Sequence, residues 1–416
     1  MNRLSPKSPA GGRITLPPSV MVRFAGLSAP VIFRNARPVQ EGLARVTRGW
    51  QPTPVPATAQ GRVSALSEVS GAGGHYSVAS PFLDEPLADL PVASATCALI
   101  ADLAQGYSAD RPDHLSLHCG AVRIDGRLVA FTGPARAGKS TLIARLAFEP
   151  GMAVFCDDVL PVDPQGHGVA LGCAPRLRLP LPDGVSDAFR AGVKGALALR
   201  DDRYGYVVTE SLAAHGQTAP LGAVVLLSRE PGAPARLSRL DRARAMQTML
   251  LQNMADMADI GTEVARIDAL TRDLTCLRLV YSDLEEAVAL IRRAFSGEVW
   301  PAPDCAVADD DPAPDAPPPA AAPPADLDRL WQRVPGPVLR RMGDEGFLWH
   351  PDFRGYRLNP TAIALWSVLE EPVRGTEIVG ALAEAFPDTD PARIAADVAR
   401  QLGAWVADEL ILPVSG

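Results

Sequence analysis

From about residue 29 to residue 82 the chain shows short bursts of apolar and polar alternation, "APVIFRNA", "GRVSALSEV" and "GHYSVASPF", each closed by Gly or Pro. Period-two patterning between turn residues predicts strands, so residues 21–105 read as a small β-rich region. The first twenty residues carry no periodicity and read as a loose terminus. The period then lengthens. "SATCALIADLAQGYS" places apolar residues at helical spacing, and "HLSLHCGAVRIDGRLVAFTG" returns to strand spacing with Asp125-Gly126 at a hairpin turn. A helix "KSTLIARLAFE", one strand "MAVFCDDVLPVD", a further strand "LGAVVLLSR" and a helix "DLEEAVALIRRAFSG" follow. Alternating strands and helices of this kind predict an α/β domain over residues 106–300.

Residues 301–326, with "PAPDAPPPAAAPPAD", lack the bulky apolar side chains a core needs and read as a semi-extended linker. Beyond it, residues 327–416 read as an α+β module. Two strands, "GFLWH" and "GYRLN", precede three helices, "PTAIALWSVLEE", "GTEIVGALAEAF" and "DPARIAADVARQLGAWVADEL", and the module closes on "ILPV".

Composition narrows the function class. With 48 acidic against 40 basic residues the net charge is −8, the wrong sign for a protein that coats nucleic acid. No apolar run approaches the roughly 18 residues that span a bilayer, so no membrane partner is expected. The six cysteines (Cys97, Cys119, Cys156, Cys173, Cys276, Cys305) are dispersed without CxxC spacing, which fits a reducing, cytoplasmic setting. Only Lys7, Lys139 and Lys194 are lysines, so a lysine inside a motif is informative.

Lys139 lies inside one. Gly133-Pro134-Ala135-Arg136-Ala137-Gly138-Lys139-Ser140-Thr141 fits GxxxxGK[ST] between a predicted strand and a predicted helix, the context of a phosphate-binding loop. In such a loop backbone N–H groups turn onto phosphate oxygens, Lys139 reaches the β and γ phosphates and Ser140 offers a hydroxyl to Mg²⁺, which by itself does not separate kinases, ATPases, GTPases and switches. Asp157 and Asp158 end the strand "MAVF", where one carboxylate can hold Mg²⁺ and its neighbour can accept a proton, although acidic pairs also cap turns. His118 is a third candidate, or a hydrogen-bonded, half-buried histidine. Arg176 and Arg178 alternate along "APRLRLP" and can both face a phosphate, or solvent.

The string "LHCGAVRIDGRLVAFTGPARAGKSTLIARLAFEPGMAVFCDDVLPVD", followed by "APRLRLP", resembles the catalytic domain of the HPr kinase/phosphorylase family, and more closely the HPr-kinase-related proteins of peptide-modification gene clusters. The likeness covers residues 110–180 and thins out towards 300. It implies that His118, the loop from Gly133 to Thr141, and Asp157 with Asp158 assemble a phosphoryl-transfer site for a serine-type hydroxyl, with Asp158 favoured as base and Asp157 beside Mg²⁺. Arg136 departs from the pattern, because the family has glycine in mid-loop. The family's amino-terminal domain is not recognisable either, which argues against HPr as substrate.

The module "GYRLNPTAIALWSVLEEPVRGTEIVGALAEAF" resembles PqqD-like domains of winged-helix type, over most of residues 335–412. That resemblance implies recognition of the leader of a ribosomally made precursor peptide, which adds a strand to the sheet edge and lies against the third helix. The matching positions are Phe347, Trp349, Tyr356, Val398 and Leu402, each of which can equally be core. Together these features predict an ATP- and Mg²⁺-dependent, HPr-kinase-like P-loop kinase acting on a precursor peptide. A nucleotide-gated peptide chaperone and a small-molecule kinase stay open, as does self-association into a homo-oligomer.

Overall fold

The computed structural model describes residues 19–56, 64–134, 136–255, 259–309, 322–342, 345–352 and 354–414. The loose terminus expected over residues 1–20 falls almost wholly outside them, as do Ala135 and the proline-rich centre of the expected linker.

The chain is mixed α/β. An amino-terminal sheet contains β1 (Ser19–Arg23), β2 (Val31–Arg34), β3 (Thr53–Pro54), β4 (Ser67–Ala72), β5 (His75–Ala79) and β6 (Leu87–Leu90), in the order β3-β1-β2-β4-β5-β6. Helices α1 (Arg37–Val46) and α2 (Val92–Ala109) cover it, with Leu99 and Leu103 of α2 fully buried against Val69 and Val78 of the sheet. Helix α2 is buried along most of its length because its other side meets the central domain: Val46, Ala93, Leu199 and Tyr206 share one buried cluster.

The central domain begins with β7 (Leu115–His118), β8 (Gly120–Ile124), β9 (Arg127–Thr132), α3 (Lys139–Leu146), β10 (Ala153–Cys156), β11 (Val159–Val162) and β12 (His167–Val169). A small antiparallel sheet of β13 (Arg176–Arg178), β14 (Leu197–Arg200) and β15 (Tyr204–Val207) carries α4 (Asp187–Ala196). The domain closes with β16 (Thr218–Arg229), β17 (Arg236–Arg239), α5 (Arg242–Leu251), α6 (Ile260–Thr271), β18 (Thr275–Tyr281), α7 (Leu284–Ala294) and β19 (Val307–Ala308).

Strand β16 organises this domain: it runs parallel to β9 on one side and to β18 on the other, while its first residues pair with β12. Its residues Ala223, Val224, Val225 and Leu227 are buried, as expected of a strand covered on both faces. The β8–β9 hairpin turns at Asp125 (φ +45°) and Gly126 (φ +84°), the doubly left-handed turn that Asp-Gly favours.

Two expectations need correction. "MAVFCDDVLPVD" is two strands, because the chain breaks at Asp157-Asp158 and β11 leaves β10 to pair with β7. The central domain also runs past residue 300: Trp300, Ala302 and Cys305 join its core, and β19 pairs with β17, so the linker is shorter at its amino end.

The carboxy-terminal domain has β20 (Leu330–Arg333), β21 (Val338–Met342), β22 (Glu345–Trp349), β23 (Gly355–Leu358), α8 (Pro360–Val368), β24 (Val373–Arg374), α9 (Gly375–Ala385), α10 (Pro391–Ala407) and β25 (Ile411–Val414). Strands β21-β22-β23 form one sheet and β24-β20-β25 another. Asn359 caps α8 through its side chain, and Asp390 caps α10. On β22 the side chains alternate: Leu348 enters the domain's own core with Trp366 and Leu402, whereas Phe347 and Trp349 belong to a cluster with Ile260, Val264 and Ile267 of α6. Arg340 of β21 reaches Asp268 of α6 at 2.6 Å, and Asp268 also receives Arg242 and Arg272. The domain is therefore seated on α6 by an apolar face and a shared carboxylate. Among the described residues no helix is long and apolar enough to cross a membrane.

Candidate active site

Strand β9 hands the chain directly to the glycine loop, and α3 starts at Lys139. The Lys139 ammonium folds back to donate to the carbonyl of Gly133 at 2.8 Å, so the loop closes on its own lysine. Tyr281, the last residue of β18, donates its hydroxyl to the carbonyl of Ala137 at 2.8 Å and fixes the loop from the far side of β16. Gly138 sits at φ +94°, and a Cβ there would run into Tyr281 Oη. Gly138→Ala should therefore cost about 1–3 kcal/mol of stability, read as a lowered denaturant midpoint with an unchanged slope.

Arg136, the departure in mid-loop, takes φ +68° with an exposed side chain. The backbone conformation that suits glycine is kept, and the guanidinium points outward. Ser140 and Thr141 lie half-buried in the first turn of α3, whose N–H groups have no partner within the helix. Arg145 anchors the far end of α3 to Glu285 of α7 (2.7 Å) and to Glu149 (2.6 Å).

The acid pair meets this loop through strand registry. Because β11 pairs with β7, Val159 lies opposite His118, and Asp158 is left beside the imidazole, Oδ1 to Nδ1 at 3.2 Å. The main chain repeats the link, since the Cys119 N–H donates to the Asp158 carbonyl at 3.0 Å. Hydrogen bonding to His118 holds the Asp158 carboxyl below its ordinary value against the opposing effect of burial, and the charges of Arg176 and Lys139 act the same way. Burial lowers the Lys139 ammonium, and the Asp158 charge opposes that shift. His118, Lys139 and Asp158 thus form one electrostatic group.

Asp157 behaves differently. It is 9% exposed, and its Oδ2 accepts the backbone N–H of Arg176 at 2.7 Å. Burial, with the Asp158 charge beside it, pushes its carboxyl up to about 7. A carboxylate that is costly to ionise without a counter-charge suits a cation. Among the described residues no three His, Cys, Asp or Glu side chains cluster as a metal site. Asp157 and Ser140 carry the hard oxygen donors that Mg²⁺ takes, an ion that needs only one or two protein ligands beside phosphate oxygens and water.

The sign of the resulting pH effect is fixed. A raised folded value gives stability that is present below the unfolded value and is lost as pH rises through about 7. Asp157→Asn, which keeps an acceptor for the Arg176 N–H, should melt several degrees above the parent at pH 8 without metal. The gap should close as pH falls towards about 4, as thermal scans across pH would record.

Arg176 and Arg178 are not a pair facing phosphate. The Arg176 guanidinium turns to Cys97 of α2 and lies 4.8 Å from the centroid of the Tyr204 ring, while Arg178 is exposed. Arg176 contributes its main-chain N–H and a fixed positive charge beside the acids. Cys119 and Cys156 are buried, with Cys156 Sγ donating to the Cys119 carbonyl at 3.3 Å.

Of the five positions expected to meet a leader, Phe347 and Trp349 face the central domain, with Trp349 wholly buried, and Leu402 is wholly buried in the module core. Trp349 and Leu402 thus present no surface to a docked peptide, and Phe347 is turned towards α6. Tyr356 is half-buried, and Val398 lines a groove of about 520 Å³ with Thr361, Leu365, Phe386 and Gln401, between α8, α9 and α10. Sequence reasoning missed Tyr281, whose only signal is a polar-tipped aromatic ending an apolar strand, and the α6 seat, signalled by an apolar run "FLW" too continuous for a strand with one wet face.

Residues 345–411 match the family model described as coenzyme PQQ synthesis protein D (PqqD). Among solved structures the chain is similar to the solution structure of the PqqD truncation of Methylobacterium extorquens PqqCD, described as a functional, stand-alone RiPP recognition element. The identity is 21%, over 22% of this chain and 96% of that one, with a TM-score of 0.20. It is also similar to the Hpr(Ser) kinase/phosphatase of Coxiella burnetii, at 12% identity over 42% of this chain and 90% of that one, with a TM-score of 0.22. Comparison with curated proteins gives no match. The carboxy-terminal domain of the chain, over residues 345–411, is PqqD-like.

Proposed function

We propose that the chain is an ATP- and Mg²⁺-dependent kinase that phosphorylates a Ser/Thr-type hydroxyl of a ribosomally made precursor peptide. The observation that carries this reading is the meeting of a lysine-bearing glycine loop with a His118–Asp158 pair at one end of the central sheet.

In this reading the loop N–H groups and Lys139 receive the phosphates. The acceptor hydroxyl gives its proton to Asp158 as its oxygen bonds to the γ-phosphorus, and the bond to the β-phosphate oxygen breaks to release ADP. His118 holds the carboxylate in place. Mg²⁺, held by Asp157 and Ser140, would neutralise charge on the phosphates. A weakly basic Asp158 suffices because phosphoryl transfer passes through a loose transition state in which the hydroxyl keeps its proton until late.

The leader is assigned to the PqqD-like domain. Strand β23 pairs only with β22 among the described residues, leaving an edge for an added strand beside the groove that Val398 lines. Holding the leader makes capture of the acceptor segment intramolecular, at an effective concentration up to ~mM.

The test is mass spectrometry of leader-bearing candidate precursor peptides incubated with full-length protein and MgATP. Gain of one phosphate on a hydroxyl residue is the expected outcome. Nucleotide binding without transfer would favour the chaperone reading, and transfer to a small metabolite alone would favour the small-molecule kinase.

A further inference from the structure

The amino-terminal domain has no motif, yet its helix α2 forms one wall of a pocket that opens onto the acid pair. Ile100 and Ala104 of α2 face Phe155, Val159 and Leu171 across a mostly apolar cavity of about 90 Å³, with Asp157 and Asp158 at its margin. Gln105, exposed on α2, and Met254, 51% exposed, stand at the rim.

Four separate parts of the chain line it: α2, the β10–β11 break, the segment around residue 171 and Met254 after α5. Clefts between domains with an apolar lining and a few convergent polar groups are where ligands bind. The volume corresponds to about three waters, and apolar walls give such waters few partners, so an entering apolar side chain displaces solvent that is poorly held. One margin is Asp158, half-exposed and paired with His118, so whatever fills the pocket lies next to the group that receives the acceptor proton.

We propose that this pocket is the subsite for an aliphatic side chain neighbouring the phosphorylated residue, and that residues of the amino-terminal domain thereby set acceptor selectivity. The inference rests on the kinase reading and goes beyond it by naming the chemistry of the acceptor sequence. Ile100 and Ala104 act as specificity-determining residues; neither takes part in the reaction. A Leu or Val side chain fits the volume, an Ala leaves it unfilled and a Trp exceeds it.

The experiment uses full-length protein, MgATP and synthetic leader-bearing peptides whose acceptor Ser is flanked by Ala, Leu or Trp. Leu should exceed Ala by about tenfold or more in kcat/KM, with Trp poorest. Ile100→Ala enlarges the pocket and should move the optimum towards Trp. Gln105→Trp, placed on the exposed rim where folding is not at stake, should raise KM for the Leu peptide about tenfold while kcat and ATP affinity stay unchanged. Equal kcat/KM values for the three peptides, untouched by either variant while phosphate is still transferred, would overturn the subsite and leave the kinase reading standing. A parent protein that binds MgATP but phosphorylates none of the peptides would overturn both, and the silence of the parent marks that case.

Discussion

Lys139→Ala is expected to lower the proposed phosphoryl transfer by on the order of 10³-fold while the protein stays folded. The loss is large because no other lysine lies in the central domain except Lys194, on α4, and the nearest loop guanidinium, Arg136, points to solvent. Folding survives because Lys139 is half-buried and its single hydrogen bond goes to the Gly133 carbonyl, which water can take over. Circular dichroism and steady-state transfer, measured on the same preparation, check both halves. Full activity in the variant would refute the phosphate assignment of the loop.

Asp158→Asn is expected to lower turnover in the proposed reaction by about 10² to 10⁴ and to leave ATP affinity nearly intact. Two carboxylates compete for the role of base, and their surroundings push them apart. Asp157, at about 7, is the better match on basicity, whereas Asp158, held lower by His118, is the better match on position, being half-exposed beside the lysine. Geometry takes precedence, since a base must first reach the proton it accepts. The complementary result is a raised Mg²⁺ requirement for Asp157→Asn. If Asp157 ligates Mg²⁺ as proposed, the parent protein's Mg²⁺ requirement should also rise as pH falls below about 7, because a protonated Asp157 cannot ligate metal. Exchange of the two mutant phenotypes would exchange the roles.

Local chemistry made much of this legible in advance. Asp125-Gly126 specifies its hairpin, and the helical spacing of residues 94–108 marks α2. The glycine loop was readable because its residue types and spacing are demanded by backbone geometry. Nonlocal facts were not. Nothing along the chain indicates that Val159 lies opposite His118, the pairing that brings Asp158 to the imidazole. Nor does "APRLRLP" reveal that Arg176 turns into the amino-terminal domain, because alternation fixes only that two side chains share a face and says nothing of what covers it. Phe347 and Trp349 misled for the same reason: a residue suited to gripping a peptide is equally suited to gripping a neighbouring domain.

The seat on α6 turns the PqqD-like domain into a measuring device. A module swinging on a proline-rich tether would deliver acceptors at many distances, and lengthening the peptide between leader and acceptor would change efficiency only gradually. With Arg340 bound to Asp268, and Phe347 and Trp349 packed against α6, the edge proposed to take the leader is held on the central domain that carries the acid pair. Peptide spacers too short to reach from that edge to the acid pair, at about 3.3 Å for each extended residue, then fail abruptly. Longer spacers lose efficiency slowly, roughly as the −3/2 power of their length. The threshold length is set by the docked face of this protein.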